Sequence, residues 1–155
     1  MIFREALPAD IPALHYVRMA VKENVLNTPS LVTTEDYRAF LTTDGKGWLC
    51  ETEQGIAGFA IVDIKQRNIW ALFVHPLSEG KGIGKQLQAL MLDWYFASFR
   101  EALWLTTAAG TRAERFYTST GWRNTGLQAN SEVRFEMSYE QWMKSKNATE
   151  ESAAL

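Results

Sequence analysis

Hydrophobic and polar positions alternate along this chain with two different periods, and the switches between them outline the elements. "IFRE" (Ile2–Glu5) reads as a short strand. Leu14, Val17, Val21 and Val25 then recur every three or four residues, which predicts one apolar helix face. Asp10 is the expected cap of that helix, with Pro12 in its first turn. A second helix is expected over "VTTEDYRAFL", where Thr33 and Asp36 have capping-box spacing. "WLCETE" and "GIAGFAIVD" flank Gln54-Gly55, a hairpin signal. Asn68–Val74 ("NIWALFV") is apolar after its first residue, as in a strand buried on both faces, and Pro76 stops it.

Helical spacing then returns. Ile83, Leu87, Leu90, Met91 and Trp94 fall on one face, with Lys85, Gln86, Gln88 and Asp93 opposite. "ALWLTT" (Ala102–Thr107) reads as another strand. Thr111 to Glu114 form a capping box for a short helix, and Gly121 suits the position just past its end. "WRNTGL" and "EVRFEM" close the pattern as a strand pair. The order is β-α-α-β-β-β-α-β-α-β-β, an α/β or α+β domain around a mixed sheet. It spans residues 1–143, with a loose polar tail over 144–155.

Composition narrows the function classes. The chain has 155 residues, 46% hydrophobic, enough for one domain with a real core. A net charge of −2 gives no basic excess, so nucleic acid is not an expected partner. No apolar run approaches the ~20 residues that span a bilayer, and the start "MIFREALPAD" lacks a signal-peptide core. The expectation is a cytoplasmic protein that does not engage membranes. Neither His15 nor His75 has metal-ligand spacing with the single Cys50, so no metal is expected.

The chemistry concentrates in "EGKGIGK". Gly80, Gly82 and Gly84 sit on alternate positions between a strand and a helix. Such a junction presents backbone N–H groups and a positive helix end to an anion. A P-loop would need glycine where Glu79 stands and Ser or Thr where Gln86 stands. A dinucleotide fingerprint would need glycine at Lys85 or Leu87. Both patterns fail.

A third pattern fits. "VHPLSEGKGIGKQL" resembles the acetyl-coenzyme-A-binding motif of the GNAT N-acetyltransferase superfamily, with Val74, Pro76, Gly82 and Gly84 on its key positions. Glu79 departs from it, standing where the family has Gln or Arg. A second segment, "RAERFYTSTGW", resembles the family's later motif through Ala113, Phe116, Tyr117, Gly121 and Trp122. It occurs in the expected place after the "ALWLTT" strand, and the element order matches from residue 2 to about 137. Two further departures concern proton handling: Gly110 stands where the family often has Asn, and Leu105 where many members have a Glu base.

The resemblance implies the GNAT fold, a mostly antiparallel six- to seven-stranded sheet with about four helices. It also implies direct transfer of acetyl from acetyl-CoA to a primary amine, most simply that of a small molecule, without a metal. Gly80, Lys81, Gly82, Ile83, Gly84 and Lys85 would hold the pyrophosphate, and the backbone of Leu72, Phe73 and Val74 would serve the thioester and pantetheine. Tyr117 takes the family's general-acid position. The acceptor site falls to the first two helices and outer strands, where "YVRMAVKEN" offers Arg18, Glu23 and Asn24. Arg18 would clamp an acceptor carboxylate, and Glu23 would take a proton or bind an ammonium. Trp70, Trp94 and Trp104 are expected to pack rather than recognise an acceptor. Acetylation of a protein N-terminus or lysine, and a regulatory module that binds acyl-CoA without turnover, remain open alternatives. Exposed sheet edges and the final strand pair leave room for a homodimer.

Overall fold

The computed structural model describes residues 1–21 and 32–154, with side chains through residue 148. The chain forms two compact units, Met1–Trp94 and Tyr95–Leu155. In the first, β1 (Ile2–Glu5), β2 (Gly45–Thr52), β3 (Gly55–Asp63) and β4 (Asn68–Val74) pair antiparallel in chain order. α1 (Ile11–Ala20) and α2 (Thr34–Thr42) lie between β1 and β2 in sequence, and α3 (Ile83–Ser98) follows β4.

α2 begins as its spacing predicts. Thr33 accepts from the Asp36 N–H, while Asp36 accepts from the Thr33 N–H. α1 begins differently. Asp10 stands at its N-cap without a side-chain cap bond. Its carboxylate instead takes the Leu7 N–H at 2.8 Å and two Arg4 bonds at 2.8 and 2.9 Å, closing a preceding 3₁₀ turn, Pro8–Asp10. α1 ends at Ala20, with Val21 already extended and so off the predicted helical stripe, and Val25 lies outside the described residues.

The core of this unit packs α1 and α2 on one sheet face. Leu14, Val17, Tyr37, Leu41, Leu49, Phe59, Ile61, Ala71 and Phe73 are buried together, with Trp70 and Phe40 packed against them. On α3, Gly58 makes room for the helix: a Cβ there would lie 3.2 Å from Ile83 and 3.3 Å from Leu87 side-chain atoms. The buried stripe of α3 includes Gln88, which the helical spacing had assigned to the polar face, while Leu90 is only half-buried.

β4 is less uniformly buried than its apolar run suggests, alternating half-buried and buried residues. Its pairing with β3 slips by one residue. Val62 opposes Ile69 and Ile61 opposes Ala71, so Trp70 is an extra residue with no partner in the register. This β-bulge puts Ala71 and Phe73 on the α1/α2 face while Ile69 faces the other way.

The second unit takes up the end of α3 and continues through β5 (Leu103–Ala108), α4 (Arg112–Ser119), β6 (Arg123–Leu127), β7 (Glu132–Met137) and α5 (Tyr139–Ala154). β7 lies between β5 and β6, antiparallel to both. Leu103, Leu105, Tyr117, Trp122, Val133, Phe135 and Met137 are buried in it. Where the sequence suggested a loose tail, the chain is helical. Ser138 and Gln141 cap α5 reciprocally, each side chain bonding the other's backbone N–H at 3.1 Å. Tyr139 and Trp142 then anchor its first turns on Phe96, with ring centroids 5.9 and 5.3 Å away. Among the described residues there are seven strands, antiparallel within each unit, and five α-helices, so the fold class is the one expected, with one more helix than the four expected.

Candidate active site

The junction between β4 and α3 is built by its backbone. His75 ends the strand, its N–H reaching the Ala57 carbonyl at 2.8 Å. Its Nδ1 accepts from the Leu77 N–H at 3.1 Å, turning the chain into a short 3₁₀ segment, Pro76–Ser78. Gly80 and Gly82 then both adopt left-handed conformations, with φ of 79° and 80°. A Cβ on either would meet nothing within 4 Å. The two glycines are therefore required by backbone angle, not by crowding, and the space they face is open.

The first hydrogen bond of α3 runs from the Gln86 N–H to the Gly82 carbonyl at 3.1 Å. The N–H groups of Ile83, Gly84 and Lys85 thus precede the helical ladder and remain available at its positive end. Lys81 and Lys85 are exposed beside them, and so is Glu79. The buried Ile83 side chain fixes the first turn to the sheet. These groups suit a diphosphate: a run of amides, a helix terminus and two free-standing cations, with no bulk in the way.

Upstream, the three strand residues differ in aim. Since the His75 N–H points at β3, strand alternation turns the Phe73 amide toward β3 as well. Leu72 and Val74 direct theirs to the opposite edge of β4. Two of the three predicted backbone positions thus direct their amides away from β3, and the Phe73 amide faces it.

Tyr117 lies near the end of α4. Thr111 caps that helix by accepting from the Glu114 N–H at 3.3 Å. The Glu114 carboxylate bonds the N–H of Gly110 at 2.7 Å, one residue further back than the expected box. Gly110, at φ 77°, is therefore a turn residue held by the cap. The Tyr117 ring is 7% exposed and sits 5.2 Å from Phe116, 5.6 Å from Trp122 and 5.9 Å from Phe135. Burial pushes its phenol well above the usual tyrosine range, so it stays protonated at neutral pH. Leu105 is fully buried and apolar, so no base acts from that position.

Arg18 is brought to the bulged strand. Its Nη2 donates to the Trp70 carbonyl at 3.3 Å. Its guanidinium carbon lies 4.6 Å from the Trp70 ring centroid, 4.9 Å from Phe73 and 5.8 Å from Tyr37. The residue is 7% exposed, and its Nε and Nη1 have no hydrogen-bond partner among the described residues. Tyr37 in turn bonds His15 Nδ1 at 3.0 Å. Glu23 and Asn24 lie outside the described residues. Trp70 packs as expected, against Tyr37 and Phe40; its place at a bulge was not legible, because an apolar run carries no mark of the residue at which it will bulge.

The first unit thus holds a β–Gly-rich turn–α junction and the second a tyrosine-bearing helix. The acetyltransferase (GNAT) family model matches residues 12–122, and the chain belongs to that family and is an acyltransferase. The fold is shared with the PaiA N-acetyltransferase of Thermoplasma acidophilum, solved in complex with coenzyme A (15% identity, TM-score 0.76, covering 89% of this chain and 98% of that one). It is also shared with the ribosomal-protein-alanine N-acetyltransferase of Brucella melitensis (21% identity, TM-score 0.69, 89% and 99%). The spermidine/spermine N-acetyltransferase SpeG of Vibrio cholerae is a third such structure (15% identity, TM-score 0.67, 92% and 97%). Comparison with curated protein sequences finds no match.

Proposed function

We propose that the protein moves acetyl from acetyl-CoA to the primary amine of a small molecule by direct attack on the thioester. The observation that carries this is the pair of left-handed glycines opening onto free space before α3, which fits a diphosphate held by amides. Acetyl-CoA would supply the activated acetyl group. The amides of Gly80 to Lys85 bind the diphosphate, and Lys81 and Lys85 add charge without a metal. The Leu72 and Val74 amides orient the pantetheine arm and donate to the oxygen that gains charge as the amine attacks. Tyr117, kept protonated by its burial, delivers a proton to the departing sulfur. A thiol of pKa near ~8.5 is already a fair leaving group, so that proton accelerates the step modestly. The amine must lose its own proton, and water is the acceptor this reading assigns, since Leu105 leaves no base at the family's position.

The test is free-thiol release from acetyl-CoA across a panel of amines, polyamines and peptides, with thermal stability as a second readout. A marked rise in melting temperature with acetyl-CoA and turnover of a small amine are expected. No shift at saturating acetyl-CoA removes the cofactor assignment. A shift without turnover of anything favours an acyl-CoA-binding regulator, and turnover of peptides alone favours a protein acetyltransferase.

A further inference from the structure

Arg18 poses a physical problem that the fold leaves unsolved. A guanidinium cannot shed its charge, and burying one with idle donors is costly unless an anion arrives. Here two of its three nitrogens lack hydrogen-bond partners among the described residues, and the residue is 7% exposed. The bulge at Trp70 explains the third contact. A residue outside the strand register has a carbonyl free of the ladder, and Nη2 takes it at 3.3 Å, a long bond. Aromatic rings lie close to the cation, 4.6 and 4.9 Å from its central carbon, while Nε and Nη1 stay unpaired among the described residues. Such donors beside aromatic rings suit a flat, two-oxygen anion.

Position supplies the second half. The Phe73 ring that touches the guanidinium belongs to the strand segment whose neighbours, Leu72 and Val74, are assigned to the thioester. An anion held at Arg18 would hold a linked amine beside that segment. Trp70 is half-buried, so solvent reaches the rim of this box.

We infer that the Arg18–Trp70–Phe73–Tyr37 box recognises a carboxylate on the acceptor, so that the acceptor is a small amino acid, its amine and carboxylate separated by one or a few carbons. This rests on the acetyltransferase reading. The test compares amino acids with their own primary amides in thiol release by the wild-type protein, with spermidine and a peptide amide alongside. The amide's amine is the less basic of each pair, so the comparison is weighted against the proposal. Acids should exceed amides by at least about 10-fold in kcat/KM. Arg18→Gln should raise KM for the acid about 10–100-fold and collapse the acid-over-amide preference by the same factor, and Arg18→Lys should fall between. Amides, spermidine or the peptide amide turned over as well as the acids would overturn it, and this arm needs no variant to fold. Should no amine be acetylated, the acetyltransferase reading fails first. The box is then judged by thermal shift with glycine or β-alanine: a saturable shift absent in Arg18→Gln sustains it, and no shift with either ends it.

Discussion

Between Gly80 and Lys85 the chain offers an anion mainly backbone: neutral amides whose aim is set by two left-handed glycines, with Lys81 and Lys85 exposed beside them. Around Arg18 the means are reversed. A permanent charge is buried among rings, and its aim is set by side-chain packing on a bulge. Exposed amides are hydrated when nothing is bound, so the first region is stable empty. The second gains more from being filled, because two of its buried donors have no hydrogen-bond partner among the described residues. The same difference decides robustness. The cradle fails if a φ angle is lost and tolerates most neighbours; the box fails if any wall or the cation changes.

Gly82→Asp should break the contrast most severely. It imposes a left-handed angle on a side-chain residue and adds a negative charge, so affinity for coenzyme A should fall about 100-fold or more by calorimetry. Retained binding would contradict a cradle made of amides. Tyr117→Phe engages neither anion region. It should slow acetylation about 10–100-fold with unchanged affinity for both substrates, and an unchanged rate would end its role as acid. Trp70→Leu keeps apolar volume but removes the π-face over the guanidinium. KM for a carboxylate-bearing amine should rise about 3–10-fold, with KM for acetyl-CoA unmoved.

The smallest effect is on pH dependence. Burial, then the charge of Arg18, hold His15 below its ordinary 6.5. The unfolded chain therefore takes up the proton more readily, and stability should fall as pH drops through about 6.5. Arg18→Gln relieves one of the two causes and should flatten that slope in melting curves taken between pH 5 and 7.5.

The two regions also differ in how they are written in the sequence. Glycines at fixed offsets after a proline-stopped strand are a local code, because each φ requirement falls on one residue. Tyr117 was legible for the same reason, through the spacing from Ala113 to Trp122. The Arg18 box has no such code. Arg18 itself was found only by its place on the first helix. Trp70 was read as packing, since a bulge depends on how two strands align and not on either alone. α5 was missed although Ser138 and Gln141 carry the spacing of a capping box. Its surface is polar almost throughout after Trp142, so no apolar period announces a helix there. Gln88 and Asp10 erred in the opposite sense: residue type suggested a solvent-facing side chain and a helix cap, and tertiary packing and Arg4 claimed them.

The extra residue in β4 is separable from the strand that carries it. Without Trp70, Ile69 would adjoin Ala71, and their present partners Val62 and Ile61 already adjoin on β3. The ladder would close in unbroken register with every other side chain on its current face. Loss of a single codon would thus remove one wall of the proposed Arg18 box and leave Leu72 to Val74 in register, so on that proposal a change of acceptor would call for no redesign of the fold.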